Sequence, residues 1–382
     1  MNAGLIIIGS GPAGVSAAAA FREHNTELPV QILTEDPDQP YARPPLSKEY
    51  LRNDTDDVQL HDPGWYTDRD IEVLHTGPID RIDPAAKIVA AGDRIFGYGA
   101  LVLASGSEPK PLPVPGGETA MQLRSLSDAA RLRTASSESE SAVVIGAGFI
   151  GCEAAASLAM RGVSTTLVAP DEAPQTKRLG SDVGARLRVL LERVGVRYLG
   201  SVSVTSIRDG AVRLDNGASI ESDLILAATG VTPRSGLAVD AGLETDGGRV
   251  VVGAGMRTAA AAIYAAGDVA LALNAGAGRR LPVEHWQDAD DQGAVAGENA
   301  AGGSREWDAV PGFWTTIGEA TVKYHAWGDG YDHSRFLDRG DGFTVWYESN
   351  GVAVGVLTHN SDDDYELGEE VIAARKPAPK EH

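Results

Sequence analysis

Residues Gly9-Ser10-Gly11-Pro12-Ala13-Gly14 stand directly between an apolar run, Leu5-Ile6-Ile7-Ile8, and a helix-forming segment, Val15-Ser16-Ala17-Ala18-Ala19. That order, strand then glycine turn then helix, is a phosphate-binding device. The first glycine permits the tight turn, the second lets backbone approach a pyrophosphate, and the third lets the helix pack on the strand; the N–H groups and helix dipole are left facing the anion. One such string is weak evidence, because any strand-to-helix turn in a parallel sheet can contain glycines. The string recurs as Gly146-Ala147-Gly148-Phe149-Ile150-Gly151, after the strand Ala142-Val143-Val144-Ile145 and before the helix Cys152-Glu153-Ala154-Ala155-Ala156-Ser157-Leu158. Each copy is followed by a second apolar segment, Val30-Gln31-Ile32-Leu33 and Thr165-Thr166-Leu167-Val168, so each opens a βαβ unit of a doubly wound sheet. Two nucleotide sites in one α/β chain are implied.

Acidic residues that can accept from a ribose hydroxyl lie past those second strands. Glu35 lies about 20 residues beyond Gly14, the spacing such an acceptor needs. In the second unit the strand ends on Ala169, and the acid is displaced to Asp171 in Pro170-Asp171-Glu172. Lys177 and Arg178 follow closely and could receive a 2′-phosphate, although charged loop pairs are commonly just solvated. NADH is favoured, with NADPH left open.

At 382 residues the chain is long enough for two or three domains. Its net charge of −21 opposes phosphate backbones and anionic lipid surfaces, which argues against nucleic-acid and membrane partners. The single cysteine, Cys152, allows no disulfide within the chain and no four-thiolate metal site, and no metal centre is expected. Cys152 itself reads as a small helix-packing residue. The apolar start has no basic residue before it and runs straight into the glycine turn, so it reads as a strand rather than a signal peptide. No apolar stretch reaches the roughly 20 residues needed to span a bilayer, and a cytoplasmic location is expected.

Between the two glycine motifs, Glu35-Asp36-Pro37-Asp38-Gln39-Pro40-Tyr41-Ala42-Arg43-Pro44-Pro45-Leu46-Ser47-Lys48-Glu49-Tyr50-Leu51 resembles the flavin signature of the FAD-dependent NAD(P)H:ferredoxin reductase family. That family includes putidaredoxin reductase and the reductases of aromatic-ring dioxygenases; apoptosis-inducing factor shares its two-Rossmann body. The resemblance runs over roughly residues 1 to 330. Val102-Leu103-Ala104-Ser105-Gly106-Ser107 is similar to the strand-to-turn motif joining FAD and NAD domains, and Ala227-Ala228-Thr229-Gly230-Val231-Thr232-Pro233 to its second copy. Ile263-Tyr264-Ala265-Ala266-Gly267-Asp268-Val269 resembles the family's Gly-Asp motif, which implies that Asp268 accepts hydrogen bonds from the ribityl chain. The resemblance further implies that Glu35 holds the adenosine ribose, that Arg43 and Lys48 contact FAD, and that Lys48 pairs with Glu153, which also meets the nicotinamide. Those two are the implied catalytic residues.

A cation near flavin N5 needs a stiff support, and the Arg43-Pro44-Pro45 backbone offers one. Glu284-His285-Trp286 resembles the family stretch that starts a helix aimed at the flavin pyrimidine, where a helix N-terminus stabilises negative charge. The competing reading of His285 and Trp286 is core packing. Phe149 could guard the nicotinamide pocket, or simply fill the turn.

The implied architecture is α/β, with two Rossmann-like domains of the glutathione-reductase type and a small β-rich α+β domain at the carboxy terminus. The expected boundaries are 1–112 with 250–308 for FAD, 113–249 for NAD(P)H and 309–382 for the last domain. In that last part Phe343, Val345 and Tyr347 alternate up to Asn350-Gly351, and Val352, Val354 and Val356 return, a hairpin pattern. Asp362-Asp363-Asp364, before a helix expected over 365–374, reads as a helix start or a solvated loop, and the tail 376–382 is expected to be mobile. The implied activity passes hydride from NAD(P)H to FAD N5 and electrons singly to a ferredoxin or similar small protein, in a monomer or homodimer. Two alternatives stand beside it: reduction of oxygen, a quinone or another small molecule, and a redox-sensing flavoprotein like apoptosis-inducing factor.

Overall fold

In a computed structural model of the chain, residues 4–380 are described. The chain divides into two compact units, one containing the residues up to Ala42, Gln59–Glu108 and Thr232–Phe313, the other Arg43–Val58, Pro109–Val231 and the residues from Trp314 on.

The first unit is built on a five-stranded parallel sheet in the order Ile263–Ala265, Ala100–Leu103, Leu5–Ile8, Val30–Thr34, Ile71–His75. Leu5, Ile7, Ile32, Leu101 and Val102 are fully buried, as central parallel strands covered on both faces require. The helix Pro12–His24 returns over the sheet. It is met by the helix Trp286–Ala300 at a distance only glycine allows. A Cβ on Gly293 would lie 2.2 Å from the Ala13 carbonyl oxygen, and one on Gly297 2.1 Å from that of Ala17.

The second unit repeats the plan with four parallel strands, in the order Arg197–Leu199, Ser164–Val168, Ser141–Ile145, Leu224–Ala227. The helix after its glycine turn is Phe149–Met160, in which every residue from Gly151 to Leu158 is buried. Both βαβ units therefore form where the glycine motifs place them. The helix Leu126–Ser137 precedes the sheet and starts with a capping box: Ser125 Oγ accepts from the Asp128 N–H, and the Asp128 carboxylate accepts from the Ser125 N–H.

The carboxy-terminal part is a five-stranded sheet ordered Gly312–Ile317, Ala320–Ala326, Val352–His359, Phe343–Ser349, His333–Asp338. The expected hairpin is present, and Asn350 and Gly351 have φ of 52° and 76°, the doubly left-handed geometry of a tight hairpin turn. The helix runs Asp362–Ala373, so of the two readings of the three aspartates the helix start holds: they form its first turn, where their charge meets the unsatisfied N–H groups. One expectation is corrected. The tail is pinned over its described residues: Lys376 accepts from the Ala353 N–H at 2.8 Å, the Ala378 N–H donates to Glu348 at 3.0 Å, and Arg335 donates to the Pro379 carbonyl. A polar composition concealed a docking made by backbone. Residues 381 and 382 lie outside the described residues.

Candidate functional site

In the first unit the glycine turn is locked by its neighbours. Gly9 has φ of 111°, and a Cβ there would come within 2.3 Å of the Ala104 carbonyl oxygen; one on Gly14 would reach 2.0 Å from that of Gly9. Gly11 and Pro12 begin the helix with no side-chain cap, which leaves the first-turn N–H groups for another acceptor. Buried Ala13 sits 3.2 Å from the Cβ position of Gly267, the residue before half-buried Asp268. The Gly267 N–H donates to Gln292 Oε1 at 2.9 Å, while the buried Nε2 of the same side chain has no partner.

Arg234 gathers several of the expected residues. It pairs with Glu35 and, at 3.6 Å, with Glu108; its carbonyl accepts from Ser105 Oγ at 2.8 Å, and its N–H donates to the Gly106 carbonyl at 2.9 Å. Sequence reasoning missed Arg234, although it directly follows the expected motif ending in Pro233. Glu284 pairs with Arg249, and His285 Nδ1 lies 2.9 Å from the buried Asp288 carboxylate with its ring 4.8 Å from Phe313. His285 and Trp286 stand at the start of the helix Trp286–Ala300, as expected.

In the second unit the same turn is drawn again. Gly146 has φ of 106°, and a Cβ would lie 2.4 Å from the Ala228 carbonyl oxygen; one on Gly151 would lie 2.0 Å from that of Gly146. Gly148 begins the helix with no side-chain cap and has open space around its Cβ position. Ile150 is exposed, and Arg178 lies over the Phe149 ring at 5.7 Å. Gln175 Nε2 donates to the Ala147 carbonyl at 3.0 Å. Thr229 Oγ1 donates to the Lys110 carbonyl at 3.1 Å, and Gly230 accepts from the Lys110 N–H at 2.9 Å. Asp171 pairs with Lys177 at 2.7 Å, so the two opposite candidates for a ribose contact engage each other.

The most developed side-chain cluster of this unit surrounds Glu153. Arg43 immediately precedes the short turn Pro44–Ser47, and this segment packs on the helix Phe149–Met160, with Ser157 Oγ donating to the Ser47 carbonyl at 2.7 Å. Lys48 and Glu153 are both 5% exposed, with Nζ to Oε2 3.4 Å. Ser47 Oγ donates to Oε2 at 2.5 Å; Thr315 Oγ1 and the Thr316 N–H donate to Oε1 at 2.8 and 3.3 Å. The expected lysine–glutamate pair is thus assembled in a buried setting, where neither charge would tolerate standing alone. Neighbouring Cys152 is buried, and burial, with the Glu153 charge, pushes its thiol far above the ordinary range.

Two glycine turns whose first and third glycines leave no room for a Cβ, each opening an uncapped helix, define an oxidoreductase body made for two dinucleotides. The chain belongs to the pyridine nucleotide-disulphide oxidoreductase family, whose model matches residues 4–293. It is 35% identical over 331 residues to a rubredoxin-NAD(+) reductase of Pseudomonas putida, covering 84% of this chain and 85% of that one. It is 33% identical to the ferredoxin--NAD(+) reductase component of the anthranilate 1,2-dioxygenase system of Burkholderia cepacia, over 81% and 78% of the two chains. Among solved structures it resembles the covalent putidaredoxin reductase–putidaredoxin complex with a TM-score of 0.93 and 28% identity, over 98% of this chain and 94% of that one. The protein is an oxidoreductase that uses FAD and NAD(P)H. Among the described residues no helix is long and apolar enough to cross a membrane.

Proposed function

We propose that this protein takes reducing equivalents from NADH and delivers them, through FAD, to a small iron–sulfur protein of the ferredoxin type. The observation that carries the reading is the buried Lys48–Glu153 pair, set beside relatives named ferredoxin and rubredoxin reductases that match along most of their length. FAD supplies the chemistry, accepting a hydride and releasing electrons one at a time. The chain's own residues bind, orient and balance charge. FAD is assigned to residues 1–112 and 250–308, NAD(P)H to 113–249 and part of the acceptor surface to 309–382.

Gly9, Gly11, Pro12, Ala13 and Gly14 hold the FAD pyrophosphate. Glu35, fixed by Arg234, takes the adenosine ribose, with Ala104, Ser105 and Gly106 beside it. Asp268 takes the ribityl hydroxyls, and Glu284, His285 and Trp286 present the helix start to the flavin ring. Arg43 and Lys48 contact FAD from the proline-stiffened segment. Gly146, Gly148, Phe149, Ile150 and Gly151 take the nicotinamide dinucleotide, Asp171 its ribose, and Thr229 and Gly230 line the same site. NADH is the preferred donor, because the Asp171 carboxylate accepts from a ribose hydroxyl and repels a 2′-phosphate, and its charge offsets that of Lys177 beside it. The single buried cysteine directs the electrons outward rather than to a disulfide in the same chain. The protein is assigned to the cytoplasm.

The test is an anaerobic titration of the yellow protein with NADH and then NADPH, followed by admission of air or a ferredoxin. Bleaching by NADH, with ferredoxin restoring the colour faster than air, is expected. A colourless protein that FAD cannot reconstitute would end this reading. A persistent long-wavelength band in air would replace the electron carrier with a redox sensor.

A further inference from the structure

The Glu153 carboxylate is held by more donors than an ion pair needs. Oε2 accepts from Ser47 Oγ at 2.5 Å and Lys48 Nζ at 3.4 Å; Oε1 accepts from Thr315 Oγ1 at 2.8 Å and the Thr316 N–H at 3.3 Å. A carboxylate offers about four lone-pair sites, and the contacts fill them. The lysine contact is the longest and the two hydroxyl contacts are the shortest. Ser47, Thr315 and Glu153 are all at most 5% exposed, so water does not substitute for a missing hydroxyl. The charge of Glu153 is consequently fixed in place by neutral groups, and it would remain so if Lys48 turned away.

We propose that Ser47 and Thr315 are positioning residues for the nicotinamide. They fix the Glu153 anion at the start of the helix Phe149–Met160 independently of Lys48, so that the anion favours the cationic, oxidised ring while the lysine is left to the flavin. This rests on the reading that NADH reduces FAD in this chain. When the dihydronicotinamide gives up a hydride, with both bonding electrons, to the flavin, a neutral ring becomes a pyridinium cation. A preorganised anion stabilises the charge that develops, and it does so only if it does not reorient. An anion held by the lysine alone would move with it. Two short hydroxyl bonds, one on each oxygen, remove that freedom.

The test uses the oxidised, FAD-loaded protein and its Thr315→Val, Thr315→Ser and Ser47→Ala variants. Calorimetry compares NAD+ with ADP-ribose, which lacks the nicotinamide. Thr315→Val and Ser47→Ala are expected to weaken NAD+ by about five- to tenfold and to leave ADP-ribose within about twofold, with Thr315→Ser restoring NAD+ affinity. Stopped-flow bleaching by NADH should show a limiting rate about tenfold lower in the first two variants, with the half-saturating NADH concentration changed less. Equal weakening of NAD+ and ADP-ribose, no weakening of either, or failure of serine to rescue would overturn the proposal. Should Thr315→Val not fold, Ser47→Ala puts the same question to the other carboxylate oxygen. A parent protein that NADH does not bleach would instead overturn the reading of function, whatever the variants do.

Discussion

The two glycine turns are alike in backbone and opposite in the helix each one opens. In each, the first glycine is held at φ above 100° against the carbonyl of an alanine just past a neighbouring strand, Ala104 in one and Ala228 in the other. Two residues after the third glycine stands Ser16 in the first unit and Glu153 in the second. Ser16 Oγ donates to Asp290, on the glycine-faced helix that covers its own. Glu153 accepts at the same helical position and gathers donors from two distant segments. The turn is common to both units, and the next turn of helix decides whether the unit closes on itself, as at Ser16, or gathers donors around a buried charge, as at Glu153.

The strongest way to break this parallel is to remove the shared feature. Gly9→Ala and Gly146→Ala each place a Cβ within 2.4 Å of a carbonyl oxygen at a φ that side chains avoid. Each should cost about 3 kcal/mol or more in denaturant unfolding. Gly148→Ala is the contrast, since nothing lies within 4 Å of its Cβ position. It should fold normally and lose affinity only for the nicotinamide nucleotide, read by titration.

The next contrast separates the two helical positions. Glu153→Gln leaves buried Lys48 without its counter-charge and should cost about 3 kcal/mol, together with most of the bleaching rate by NADH. Ser16→Ala removes one hydrogen bond to Asp290 and should cost about 1 kcal/mol with bleaching retained. If Ser16→Ala abolished bleaching and Glu153→Gln did not, the division of labour would be reversed.

Helix starts sharpen the comparison through pH. The helices that follow the two glycine turns carry no side-chain cap, whereas Leu126–Ser137 is boxed by Ser125 and Asp128. Burial pushes the Asp128 carboxyl up, but hydrogen bonds from Ser125, Arg131 and Arg124 together outweigh it and hold the group below its ordinary 3.8. Its contribution is therefore complete above the unfolded value and is lost as pH falls through the lower folded value. Asp128→Asn should remove part of the acid-side loss, about 1 kcal/mol, in unfolding curves between pH 5 and pH 2, without changing nucleotide affinity at neutral pH. The smallest effect is expected at Asp171. Asp171→Asn frees Lys177 and should shift the kcat/KM ratio towards NADPH by roughly fivefold.

Both βαβ units were legible because strand, glycine and helix signals lie within a few consecutive residues, and glycine is the residue such a backbone demands. The lysine–glutamate pair was legible only through resemblance, its members lying 105 residues apart. The hydroxyl contacts to Glu153 were not legible. Ser47 and Thr315 are 106 and 162 residues from Glu153, and a hydroxyl leaves no periodic or compositional trace of the acceptor it will meet. Arg234 and Arg249 were missed for the same reason, as partners of Glu35 and Glu284. The strand His333–Asp338 escaped notice because an edge strand can be polar, and the docked tail because its contacts are mostly backbone.

Buried Cys152 provides a clock within the second unit. Its thiol lies in the first turns of the helix Phe149–Met160, against the Ala147 carbonyl, and is 1% exposed, so reagent reaches it only when its surroundings open. Under excess thiol-alkylating reagent, the rate at which this lone thiol is labelled reports how often its surroundings in the second unit open. Saturation with NAD+ should slow the clock, and the same chain without nucleotide should run fast, giving the opening rate of that unit without a residue being introduced.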